Sequence, residues 1–189
     1  MNDKVDEKDL QEKRVSAEIA FSGRLLEVSS DRVTLADGKS TVREVVHHPG
    51  GVVIIPVREA DEGYGVVLVK QYRYPAGKAL WELPAGTLEE GETSKDCARR
   101  ELIEETLYRP TSLKKVTDLY TSPGYSDESL TLYLARGLKR VDEKKVERPE
   151  EENLVARSFD LNEVLEKARN GEIRDGKTLA GLFFLTGYG

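Results

Sequence analysis

Three glutamates are the residues of this 189-residue chain best placed to do chemistry: Glu101, Glu104 and Glu105, in the run Arg100-Glu101-Leu102-Ile103-Glu104-Glu105-Thr106. If the run is helical, each residue advances about 100°, and the three carboxylates fall within about 100° of one another. Like charges three and four residues apart repel, by roughly 0.2–0.5 kcal/mol per pair. The stripe is therefore either a solvated acidic face, made tolerable by Arg99 and Arg100, or a place where something cationic belongs. Ala98 and Leu102 lie beside it and can pack inward, which puts the carboxylates at the rim of a core. Hard oxygen donors grouped this way suit Mg2+ or Mn2+. Magnesium keeps several waters and usually shares its sphere with substrate phosphates.

The other reactive side chains offer less. His47 and His48 precede Pro49-Gly50-Gly51 at a domain junction and read as surface residues rather than catalytic ones. Cys97 falls within the acidic helix and need only pack there. As the one cysteine it permits no internal disulfide, which fits a reducing cytoplasm. The opening MNDKVDEKDLQEKR lacks the apolar core of a signal peptide, and the apolar LAGLFFL near the end is far too short to span a bilayer. A cytoplasmic protein without a membrane partner is expected. With a net charge of −6 and no basic tract, nucleic acid is not an expected partner. A small anionic ligand remains compatible if a metal ion supplies the positive charge.

The elements that must position the glutamates are legible in outline. Residues 1–14 are polar, frayed or helical, and Ala17 to Val46 shows short β-like runs with a hairpin turn at Ala36-Asp37-Gly38-Lys39. Residues 1–48 thus read as a small N-terminal β unit and 49–189 as the main domain. There GVVIIPV is a buried strand, joined through READEGYG to VVLVKQYRYP, and LWELPAG is a short strand ending in a Pro/Gly loop. Thr93 or Ser94 can cap the following helix, helped by Asp96 in its first turn. That helix should run to about Tyr108 and stop before Pro110. Two strands flank the loop TSPGYSDE, a charged loop spans DEKKVERPEEEN, and LVARSFDL is a strand. Asp160 and Glu163 form a capping box for LNEVLEKARN, and LAGLFFLTGY is a final helix. The expected fold class is α+β, a mixed α/β sandwich.

Gly86, five residues, Glu92, seven residues and then Arg100-Glu101-Leu102-Ile103-Glu104-Glu105 resembles the Nudix box, Gly-x5-Glu-x7-Arg-Glu-apolar-x-Glu-Glu-x-Gly-apolar. The box's final glycine is replaced by Leu107, and Tyr108 fills the last apolar position. Glycine suits a left-handed residue at a helix end, so Leu107 puts the local turn in question rather than the chemistry. The resemblance implies a loop–helix–loop that binds divalent metal, two or three Mg2+ ions (or Mn2+), and hydrolyses a diphosphate. Glu101 and Glu105 are the implied primary ligands, with Glu104 and the backbone carbonyl of Ala85 beside them. Arg100 and Glu92 form an implied orienting ion pair.

VKQYRYP, WELPAGTLEEGE and YTSPGYSDE, with Pro123 sixteen residues past Leu107, resemble the ADP-ribose pyrophosphatase branch of that family. The likeness implies hydrolysis of ADP-ribose to AMP and ribose 5-phosphate. Other nucleoside diphosphate sugars such as GDP-mannose, or a dinucleotide, are the alternative, and a non-catalytic ADP-ribose-binding module a third. It also implies a homodimer in which the N-terminal β unit reaches the partner. Arg43 and Arg73 match substrate-contacting positions. Phe21 and Arg24 are placed near the adenine, and Tyr125 and Ser126, after Pro123, over the terminal ribose. The general base implied is Glu152, two residues before the strand start at Leu154, with Glu151 and Glu150 as fallbacks.

Overall fold

The computed structural model describes residues 7–59, 63–146 and 153–187. These divide into two compact units, one of Met1–Pro49 with Ser122–Glu128, the other of Gly50–Thr121 with Ser129–Gly189.

The first unit is a three-stranded antiparallel sheet of β1 (Lys13–Ser22), β2 (Glu27–Thr34) and β3 (Ser40–His47) in that order. The β2–β3 turn is the expected one: Gly38 takes φ 83°, and Leu35 exchanges backbone hydrogen bonds with Lys39 and Gly38 across it. The first strand begins at Lys13, earlier than its polar composition suggests, because pairing with β2 overrides local propensity. The segment Ser122–Glu128 joins this sheet. Val46 N–H donates to the Tyr125 carbonyl at 2.7 Å, and Asp127 N–H donates to the Val46 carbonyl at 3.2 Å.

The second unit is a mixed sheet between helices. In chain order its elements are β4 (Gly51–Glu59), β5 (Tyr64–Arg73), β6 (Lys78–Glu82), β7 (Ala85–Thr87), α1 (Ser94–Thr106), β8 (Tyr108–Arg109), β9 (Ser112–Tyr120), β10 (Ser129–Arg136), β11 (Lys139–Arg140), β12 (Leu154–Asp160), α2 (Leu161–Arg169) and α3 (Gly176–Thr186). The strand order is β12-β5-β4-β10-β9, with β6 added to β5 and β7 to β4. β4 runs parallel to β10 and antiparallel to β5 and β7.

The central strand explains the unbroken apolar run GVVIIPV. Val53, Ile55 and Val57 face the cluster holding Val164 of α2 and Leu182 and Leu185 of α3. Val52 and Ile54, on the opposite face, pack with Cys97, Ala98 and Leu102 of α1. A strand covered on both faces needs no polar alternation.

Local signals fix the helix ends. Thr93 is the N-cap of α1: its hydroxyl accepts from Asp96 N–H at 3.2 Å and donates to the Asp96 carboxylate at 2.7 Å. Asp160 caps α2, but its bond goes to Asn162 N–H at 2.8 Å rather than closing the expected box on Glu163. α1 ends at Thr106, two residues short of the expected Tyr108.

The reason is Leu107, which adopts the left-handed geometry usually left to glycine, φ 60° and ψ 25°, with its N–H on the Ile103 carbonyl. Among the described residues it is the one non-glycine with positive φ. Such a conformation disfavours an L-residue by roughly 1–2 kcal/mol. The side chain is 5% exposed, however, and deleting a buried leucine costs about 2–5 kcal/mol. Burial outweighs strain. In urea melts Leu107→Gly should therefore lose about 1–3 kcal/mol. Leu107→Ala should lose about 1 kcal/mol more than Leu107→Gly, because it keeps the strain and loses the packing. A higher midpoint for Leu107→Gly than for the parent chain would show that strain prevails.

Candidate active site

α1 carries the acidic stripe, and β7 with the loop behind it forms the opposing wall. Glu101 is 7% exposed and Glu105 3%, so the stripe sits at the edge of the core and not on a free face. Glu105 Oε2 accepts from Ala85 N–H at 3.2 Å. Gly86, the next residue, leaves room for a local reason: a Cβ built there would coincide with the Glu101 carboxylate, so a larger residue requires that side chain to move.

Arg100 organises the other side. Its Nε and Nη2 donate to the two oxygens of Glu92, each at 2.9 Å. Nη1 reaches Glu101 Oε1 at 2.7 Å and Glu104 Oε2 at 3.3 Å, and Nη2 also reaches the Thr87 carbonyl at 3.3 Å. One guanidinium thus ties the loop, through Glu92 and Thr87, to two carboxylates of the helix. Hydrogen bonds from Arg100 hold the Glu92 carboxyl below its usual range despite some desolvation. The same bonds raise the already high pKa of Arg100, so the bracket is charged throughout the useful pH range.

The donor set fits a divalent cation: two buried carboxylates one turn apart, a third at the rim, and a backbone segment alongside. Among the described residues, no three acidic, imidazole or thiol groups converge closely enough to cage an ion by themselves. The reason is visible in the partners: Arg100 draws on Glu101 and Glu104, while Glu105 leans on Ala85 N–H. An ion that keeps water and takes phosphate oxygens needs no closed protein cage. A cavity of about 650 Å3 opens beside Ile103 and Glu104, with Arg109, Lys139 and Lys145 in its wall.

A NUDIX domain matches residues 47–182. The chain belongs to the NUDIX family. It is 39% identical to an ADP-ribose pyrophosphatase of Bacillus subtilis (strain 168) over 178 residues, 94% of each chain. It is 37% identical to a methanol dehydrogenase activator of Bacillus methanolicus over 175 residues, 93% of this chain and 92% of that one. A crystal structure of an ADP compounds hydrolase superposes with a TM-score of 0.80 over 95% of both chains at 20% identity, a likeness of fold.

The remaining expected contacts of this NUDIX chain lie on both units. In the second, Arg73 at the end of β5 makes a bidentate pair with Glu82, Nε to Oε1 at 2.9 Å and Nη2 to Oε2 at 2.8 Å. In the first, Arg43 is held by Glu12 at 3.0 and 2.7 Å in an exposed pair. Phe21 on β1 is 58% exposed, and Arg24 lies in the exposed turn between Gly23 and Leu26. Pro123 and Tyr125 are exposed in the Ser122–Ser126 turn, whereas the Ser126 hydroxyl donates to the Val46 carbonyl at 3.0 Å. Glu150, Glu151 and Glu152 lie outside the described residues.

The histidines hold the first unit together. His47 Nε2 is 3.0 Å from Ser29 Oγ and its Nδ1 2.6 Å from Asp127 Oδ2, while Asp127 Oδ1 accepts from His48 N–H at 3.0 Å. The distances are those of a hydrolytic Ser-His-Asp array, but Ser29 is 1% exposed. No substrate can reach that hydroxyl, and the array anchors the Ser122–Glu128 segment.

Sequence reasoning missed Glu82. It is 1% exposed and charged, inside the quoted motif WELPAG. A lone Glu in the otherwise apolar stretch of residues 79–85 was the signal for it.

Two outcomes test this geometry. Gly86→Ala should displace Glu101 and lower kcat/KM by about 100-fold. Parent-like turnover in that variant would show that Glu101 has another place to sit. Cys97 is fully buried, and burial together with the nearby Glu92 charge pushes its thiol up to about 12. A thiol reagent at pH 8 should leave the native protein unmodified and label it only after denaturation.

Proposed function

We propose that the chain is a Mg2+-dependent ADP-ribose diphosphatase that yields AMP and ribose 5-phosphate. The observation that carries this reading is the pair of buried carboxylates, Glu101 and Glu105, set one turn apart against Ala85–Gly86 and bracketed by Arg100. Likeness to an ADP-ribose pyrophosphatase over 94% of each chain supports the substrate. NUDIX hydrolases generally use divalent metals.

In this reading Glu101, Glu105 and the carbonyl of Ala85 would hold the metal ions, with Glu104 at the rim. The bound ions would neutralise the charge growing on the diphosphate and lower the pKa of the attacking water. Arg100 and Glu92 keep Glu101 and Glu104 oriented as the site fills. Glu152 takes the proton of the attacking water. The water oxygen bonds to one phosphorus, the bond from that phosphorus to the bridging oxygen breaks, and the bridging oxygen leaves with the other phosphate. Arg73 turns its free edge to the diphosphate. Arg43, Phe21 and Arg24 serve the nucleoside end, and Pro123, Tyr125 and Ser126 the terminal ribose.

The active form is read as a cytoplasmic homodimer. All ten residues of β1 are exposed, Val15, Ile19 and Phe21 among them at 61%, 52% and 58%. An apolar strand face of this kind suits a second copy. No helix among the described residues is long and apolar enough to cross a membrane, and Cys97 is a free thiol.

Incubation with ADP-ribose and Mg2+ in 18O-labelled water should give AMP and ribose 5-phosphate, with the label on the attacked phosphorus. Preference for GDP-mannose at equal concentration would overturn the substrate assignment. Glu105→Gln should abolish turnover with the fold nearly intact, and Glu152→Gln should lower it by about 10²–10⁴. Full activity in Glu152→Gln would move the base to Glu151 or Glu150.

A further inference from the structure

We propose that Glu82 and Lys177 are positioning residues: they preset the Arg73 guanidinium beside the box and tie the Leu83–Ala85 segment to the first turn of α3. The proposal rests on the reading of Arg73 as a diphosphate contact.

The arrangement is a buried polar latch. Glu82 is 1% exposed, and its Oε2 receives both Arg73 Nη2, at 2.8 Å, and Lys177 Nζ. Lys177 also reaches Asp175 Oδ1 at 3.0 Å. Thr178, fully buried, accepts from Leu83 N–H at 2.8 Å and donates to Asp175 Oδ2 at 2.5 Å. Ile54 N–H donates to the Pro84 carbonyl at 2.8 Å, and Ala85 N–H donates to Glu105. Two residues, Leu83 and Pro84, separate Glu82 from Ala85, and the backbone between them is pinned from both sides.

Exposure changes along the latch in the direction a positioning device needs. The side chain of Glu82 is 1% exposed and that of Lys177 13%, whereas that of Arg73 is 42% exposed. The buried end fixes the guanidinium through Nε and Nη2, and Nη1 has no partner among the described residues. A planar fork held by one carboxylate presents its other edge to an anion with little orientation left to lose. Apolar residues would serve packing at least as well as a buried ion cluster, so packing alone does not account for this choice of side chains. The negative charges of Glu105 and Asp175 favour the Arg73 cation further, after the dominant bonds from Glu82.

Steady-state hydrolysis of ADP-ribose with Mg2+ tests the latch, using Arg73→Met, Glu82→Gln, Lys177→Met, Lys177→Arg and the double variants Arg73→Met/Glu82→Gln and Arg73→Met/Lys177→Met. Each is assayed well below its melting temperature. Arg73→Met and Glu82→Gln should each lower kcat/KM by about 10–100-fold. Lys177→Met should fall in the same direction, and Lys177→Arg should recover most of the loss. Each double variant should be no worse than Arg73→Met alone, since all act through one guanidinium. A purely structural role would lower the melting temperature and leave losses that multiply in the double variants, which overturns the proposal. Parent-like kcat/KM in both Glu82→Gln and Lys177→Met, with Arg73→Met impaired, overturns positioning but leaves Arg73 as a contact. Full activity in Arg73→Met removes the contact itself. Should Glu82→Gln not fold, the two Lys177 variants with Arg73→Met carry the same test.

Discussion

Two carboxylates that repel each other are buried one turn apart, and the second unit is arranged around making that tolerable. Moving a charged carboxylate out of water is expensive unless hydrogen bonds or cations replace the lost hydration. Arg100 supplies part of the compensation, with one fork on Glu92 and a third nitrogen on Glu101 and Glu104. Backbone supplies more, through Ala85 N–H on Glu105. The same demand reaches the sequence at Gly86, where any side chain would take the space of the Glu101 carboxylate.

Those few bonds work only because the elements behind them are rigid. β4 is covered on both faces, by α1 on one and by α2 and α3 on the other. β7 pairs directly with β4, Val53 opposite Ala85 and Gly51 opposite Thr87. The backbone wall of the site is therefore one hydrogen-bonded step from the centre of the sheet. Leu102, Ala98 and Cys97 key the helix into the same sheet from above, so helix and wall share one reference frame. α3 adds a second attachment through Thr178 and Lys177.

The first unit follows a different rule. Its sheet has one fully exposed strand, and its cohesion with Ser122–Glu128 depends on polar contacts at His47, His48 and Ser126. Residues about 80 positions apart in sequence meet there. Polar anchoring suits a unit with large side chains in solvent, Tyr125 of that segment at 60% and Phe21 of β1 at 58% exposure.

The sequence alone determined the helix and its acidic stripe, because these depend on spacing within one turn or one loop; it narrowed the cap to Thr93 or Ser94, and the structure chose Thr93. It also determined the strand GVVIIPV and the turn at Gly38, since unbroken apolar runs and left-handed turns leave local marks. The box pattern named the family for the same reason: loop and helix are contiguous. Only the tertiary structure decided that Glu82 is buried between Arg73 and Lys177, that His47 closes on Asp127, and that Leu107 accepts a glycine's conformation. Each of these is a contact between distant segments, or a balance of burial against local strain. Residue type and spacing carry no record of which distant side chain will arrive to satisfy a buried charge.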